Sequence, residues 1–168
     1  MPLLRDGNVV EDRWTRVDDA AEIPADAPAI VGFARLAREG DALTGRNGPL
    51  GVALRNTDAV EDLAPYLPRL ALVALEFPKF SDGRAFSQAR LLRERHGFKG
   101  ELRATGNVLP DQLLHMRRCG FDAFELAKGD PAKSWARAVR GFSAHYQPAG
   151  DAAAPVSALR RRVAAAAD

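Results

Sequence analysis

Polar residues recur in four clusters through the middle of this chain, each at the end of an apolar run. The first is Arg55, Asn56 and Thr57, and the second is Lys79, Asp82, Gly83 and Arg84. The third is Arg103, Thr105, Gly106 and Asn107, with Asp111 just behind, and the fourth is Lys128, Gly129 and Asp130. If the apolar runs are parallel strands, these clusters share one rim, the end of an α/β sheet where ligands gather. Cations there, beside helix N-termini with free N–H groups, suit a small oxyanion. The candidate site residues are therefore Lys79, Asp82, Arg84, Arg103, Asn107 and Asp111. The plainer reading stands beside this one. Asp82 and Asp111 also read as helix-start residues, and Arg84 and Arg103 as ion-pair partners of Glu76 and Glu101.

The loop "PKFSDGR" is the most informative of the four. Pro78 restricts the exit from the strand, and Gly83 frees the backbone where a helix begins. Asp82 can accept the free N–H groups there. Arg84 then falls in the first helical turn, where the helix dipole disfavours a cation. A residue set against its local preference points to a partner, either an acid such as Glu76 or Asp111, or an external anion.

Other chemistry has less support. His96, His115 and His145 lack metal-ligand spacing, and no metal or cofactor is expected. The glycines at 83, 106 and 129 form no dinucleotide fingerprint, and no lysine follows a glycine loop as in phosphate-binding NTPases. The single cysteine, Cys119, sits at a helix C-terminus and reads as a buried, inert thiol. The basic residues lack interleaved aromatics, so nucleic-acid binding is not expected.

The elements that position the rim alternate. Leu50–Arg55, Leu70–Phe77, Glu101–Thr105 and Ala123–Ala127 read as strands. Helices are expected over 58–67, 83–96, 110–119 and 131–142, with a capping-box-like start at Asp58 and Glu61. "RHGF" at 95–98 and "RCGF" at 118–121 end two helices in the same way, by a glycine C-cap with a hydrophobic follower. An earlier helix is expected over Ala29–Arg38 and a short strand at Trp14–Val17, with residues 1–26 otherwise irregular. Such β-α repetition predicts an α/β fold: a parallel sheet of about four sequential strands with right-handed crossovers.

Alternation within the strands then sorts the two faces. Val52, Leu54, Val73, Leu75, Phe77, Leu102, Ala104, Phe124 and Leu126 share an apolar face. The other carries Ala53, Arg55, Ala74, Glu76, Glu101, Arg103, Thr105 and Glu125. A sheet covered by helices on both sides would be apolar on both. The pattern predicts half of a β/α barrel with helices mainly on one face. The second face is lined by charge pairs, or covered by the N-terminal segment or by another subunit, as in a homodimer. A gapless alignment of the two Gly-Phe caps sets Glu125 level with Leu102, leaving the fourth strand's register open.

Length and composition fit one globular domain over residues 1–146. The chain has 168 residues, 46% hydrophobic and 27% charged, with a net charge of +2. Residues 147–168, rich in alanine and arginine, read as a tail. No charged-then-apolar leader and no membrane-length apolar run stand out, so a cytoplasmic, membrane-free location is expected.

The segment from Leu70 to Leu126 carries a resemblance. Its string F-P-x-F-x-D-G-R-x-F-S-x-A-R-x-L-R, from Phe77 to Arg93, is long and specific, and "LGVALRNTD" and "FSAHYQ" extend the match to most of residues 50–147. It resembles a bacterial family of unknown function whose genes neighbour those of assimilatory sulfite reductase, and whose members are often labelled oxidoreductases. The resemblance implies a role in sulfur assimilation, with sulfite reductase or its electron donor as partner. Sulfite reduction takes six electrons carried on cofactors, and one cysteine cannot supply a four-thiolate cluster. The expected role is thus indirect and non-catalytic. A small oxyanion-binding enzyme or sensor is the alternative.

Overall fold

A computed structural model of the chain describes residues 3–126, 129–141, 145, 146, 149, 155 and 156. Ala127, Lys128, Phe142 and most of the tail at 147–168 lie outside them. Among the described residues the strands are β1 (Leu3–Arg5), β2 (Asn8–Val10), β3 (Thr15–Arg16), β4 (Ala29–Gly32), β5 (Leu50–Leu54), β6 (Leu70–Phe77), β7 (Glu101–Gly106) and β8 (Ala123–Glu125). The α-helices are α1 (Phe33–Thr44), α2 (Arg84–Arg90), α3 (Leu113–Arg118) and α4 (Pro131–Arg140). No helix among these residues is long and apolar enough to cross a membrane.

The four expected strands are β5 to β8, and they pair in parallel and in sequence. The sheet is larger than predicted, however. It has eight strands in the order β2-β1-β8-β7-β6-β5-β4-β3, with β3 and β4 parallel to the rest and β1 antiparallel to β8. The N-terminal segment, expected to be largely irregular, supplies both flanks.

The sheet curls into a half barrel. In a flat sheet β3 and β8, five strand spacings apart, would stand about 24 Å from each other. Yet Arg16 on β3 reaches Glu125 on β8 at 3.0 Å. The convex face holds the core, where Val52, Leu75, Phe77, Leu102 and Phe124 meet Leu36, Ala89, Leu92, Leu113 and Met116 of the helical segments. On the concave face a small apolar group, Ile30, Leu72 and Ala74, lies under Trp14. Of the alternatives the sequence left open, two are present together: charge pairs line that face, and part of the N-terminal segment packs over it.

Several element boundaries differ from the sequence reading. Ala29–Gly32 is a strand, not a helix start. Its buried β-branched pair Ile30 and Val31 serves both faces, and the helix begins only at Phe33. No α-helix forms over 58–67, where two short 3₁₀ turns stand, Glu61–Leu63 and Leu67–Arg69. Pro65 and Pro68 remove helix donors there. Asp58 accepts from the Arg55 N–H and guanidinium, not from a helix start. The helix expected over 83–96 runs through α2 into a π-helical turn at Leu91–Arg95, and α3 is preceded by a 3₁₀ turn at Pro110–Gln112.

Both glycine caps form. Gly97 and Gly120 have φ of 64° and 104°, and the Phe98 and Phe121 N–H groups donate to Leu92 and Met116 carbonyls. The register of β8 is Arg103 opposite Ala123 and Ala104 opposite Phe124, which puts Phe124 in the core. Asp122 sets it: its N–H donates to the Leu102 carbonyl, and its carboxylate accepts from the Leu102 N–H.

Candidate functional site

The predicted rim residues separate into three places. Arg103 is not at the rim. It sits in mid-strand on the concave face and is fully buried. Its guanidinium meets Asp12 at 2.7 Å, Glu101 at 2.7 Å and Glu125 at 3.2 Å. The alternation of β7 dictates this, because Glu101, Arg103 and Thr105 point inward together. Burial alone would raise the Asp12 carboxyl. The hydrogen bonds from Arg103 and from the Trp14 N–H outweigh it and hold Asp12 below the usual range. Arg103 thus fastens the N-terminal segment to the sheet, with its guanidinium spent on three carboxylates.

Lys79, Asp82 and Arg84 form a hydrogen-bonded knuckle between β6 and α2. The Asp82 N–H donates to the Lys79 carbonyl at 3.0 Å, closing a turn. The Asp82 carboxylate receives the Arg84 guanidinium at 2.7 and 3.0 Å, the Arg84 N–H at 3.2 Å and the Asn56 amide at 2.6 Å. The Arg84 hydrogen bonds hold the Asp82 carboxyl down at about 2. Arg84 therefore has an acid partner, but it is Asp82, two residues away, and neither Glu76 nor Asp111. Gly83 is the capping residue of α2, and the Asp82 carboxylate accepts the Arg84 N–H of its first turn, as the sequence suggested.

Asn107 lies beside the knuckle, exposed, with its N–H donating to the Phe77 carbonyl at 2.7 Å. Asp111, also exposed, faces elsewhere. It lines a groove of about 570 Å³ with Lys133 and Arg137 of α4. Lys128 lies outside the described residues.

The C-terminal ends of β4 to β8 do enclose a cavity, of about 530 Å³, on the concave side. Its charged lining is Arg16, Asp19, Arg55, Asp58, Glu76 and Glu125. Four carboxylates against two guanidinium groups leave a negative excess. Arg16 pairs with Glu125 and Arg55 with Asp58. Gln88, buried behind this wall, donates to the Arg55 and Asp58 carbonyls at 3.0 and 2.8 Å. A small anion would meet net repulsion here.

Sequence reasoning placed Glu76 and Glu125 on the inner face but missed Asp12, Arg16 and Asp19. Their segment has no periodic pattern, and the only signal was the short apolar-polar stretch at Trp14–Val17. Cys119 is buried as expected, and burial pushes its thiol up, with His115 Nε2 3.9 Å from the sulfur.

Comparison with curated proteins returns no match. The family expectation fares better: a family described as bacterial proteins of unknown function matches residues 51–157, from β5 through α4, which includes the knuckle and most strands of the mouth. With well over half of its length matched, the chain belongs to that family, DUF934.

Proposed function

We propose that the protein is an accessory of assimilatory sulfite reduction that acts by binding the reductase or its electron donor through the rim of the half barrel. The observation that carries this is the rim itself, where braced, solvent-facing charged groups stand on an open surface. Arg84 and Arg55 are 57% and 70% exposed although both are paired. Exposed charges of this kind steer the encounter with a protein partner and fix its register more than they add affinity. The sulfite connection comes from the family resemblance. The oxyanion reading loses support, because Arg103 is consumed by three carboxylates and the mouth carries a negative excess.

The test is a titration of the fluorescently labelled protein with purified assimilatory sulfite reductase, and separately with its electron donor, read by anisotropy. Saturable binding to one of them is expected, with a loss of about tenfold in Arg84→Glu, as for reversal of a rim charge. Absence of binding to both proteins sinks the proposal.

A further inference from the structure

Phe80 stands out in the knuckle because its ring lies outside both apolar clusters. Phe77 is fully buried, and Phe86 packs on it with ring centroids 5.1 Å apart. Phe80, three residues from Phe77, is 56% exposed and takes no part in either apolar cluster. A solitary exposed aromatic is ordinary on a protein surface. This one is held on a loop fixed from several sides. Gln112, on the next connection, donates to the Phe80 carbonyl at 2.9 Å. The Asp82 N–H closes the turn on Lys79, and Asn56 and Arg84 clamp Asp82. The backbone under Phe80 is thus tied to the connections after β5 and β7 as well as to α2. Hydrogen bonds that restrain such a loop before binding lower the entropy lost on binding.

The charge around the ring is complementary to one kind of partner. Lys79, next in sequence, is exposed and makes no ion pair among the described residues. Arg84 spends its Nε and one terminal nitrogen on Asp82 and remains 57% exposed. An aromatic side chain beside an arginine matches the composition of an interface centre, and a free lysine next to it suits the charged rim. We infer that Phe80 is the anchor of a protein-docking surface, inserted into an apolar pocket of a partner whose edge carries carboxylates for Lys79 and Arg84. This rests on the reading that the protein works by binding another protein, and it names the contact.

A photoreactive benzophenone amino acid placed at position 80 in the producing bacterium tests it. The control position is Val9, 51% exposed on edge strand β2. The inference expects one cross-linked protein from position 80 and none of it from position 9. That protein, purified, should bind the wild-type chain in a salt-sensitive manner. Phe80→Ala should weaken binding by about tenfold or more, as loss of an anchor does, with an unchanged thermal midpoint. Lys79→Glu should weaken it and flatten the salt dependence. Equal capture at both positions, no capture at position 80, or Phe80→Ala binding within about twofold of wild type would overturn it. Capture of a protein outside sulfite reduction that meets the binding criteria sinks the sulfite assignment and leaves Phe80 as the anchor.

Discussion

Two residues, Arg103 and Asp82, show how differently a charge can be used in this molecule. Arg103 is fully buried among carboxylates whose side chains are 9%, 11% and 30% exposed. Removing it strands those charges at low dielectric. Arg103→Ala should therefore cost about 3–5 kcal/mol in denaturant titration, the range for breaking a buried ion pair from one side. Arg103→Met combined with Asp12→Asn, Glu101→Gln and Glu125→Gln should recover much of that loss, because no buried unpaired carboxylate then remains, and Arg16 and Arg5, which lose Glu125 and Glu101, are half exposed. Asp82 acts at the surface, and its effect is one of pH. Its carboxyl is held at about 2, below an unfolded value of about 4. A carboxyl depressed by folding contributes stability above its unfolded pKa, and that contribution is lost as pH falls toward the folded value. The thermal midpoint should thus fall between about pH 4 and pH 2, and Asp82→Asn should flatten that fall. A variant curve that parallels wild type would show that the brace carries no stability.

At the scale of elements, the two glycine caps look alike in sequence but stand in different surroundings. A Cβ on Gly97 would meet nothing within 4 Å, whereas one on Gly120 would lie 2.5 Å from Arg93 Cγ. Gly97→Ala should cost about 1–2 kcal/mol, the strain of a left-handed alanine. Gly120→Ala carries the same strain and also displaces Arg93. That side chain donates to the Gly120, Phe98 and Gly100 carbonyls and to Asp122, joining the π-helical turn to the start of β8. The Gly120 variant should lose clearly more stability than the Gly97 variant in parallel denaturant titrations. Equal losses would mean that Arg93 repacks freely and does not set the β7–β8 geometry.

For the whole molecule, the family match and the folding unit differ. Residues 51–157 hold β5 to β8 and α2 to α4 but lack β1 to β4 and α1. Without the missing part, β5 and β8 become open edges, and Leu4, Val31 and Leu36, all fully buried, leave the core. Arg103 also loses Asp12. A fragment begun at residue 51 should show no cooperative thermal transition by circular dichroism, whereas the full chain should. A cooperative melt of the fragment would make the N-terminal segment an addition to the fold and not part of it.

What the chain determined by itself is what local chemistry decides. The strand-helix alternation, the β5–β8 order, the inward and outward faces and the Gly-Phe caps all follow from periodicity and backbone preference over a few residues. Leu70–Phe77 was legible to its exact ends because its apolar run is unbroken. The knuckle was legible in part: Pro78, Asp82 and Gly83 announced a turn and a helix start, but the partner of Arg84 was not among those expected. The tertiary structure alone decided the rest. Arg103 and Asp12 are 91 residues apart in sequence, and Arg16 and Glu125 are 109 apart. Such pairings leave no periodic trace, since each residue satisfies the other only once the sheet has curled. Ile30 and Val31 fell within an expected helix but form a strand, because a β-branched pair buried on both faces is stabilised by β5 and by packing that local sequence does not contain.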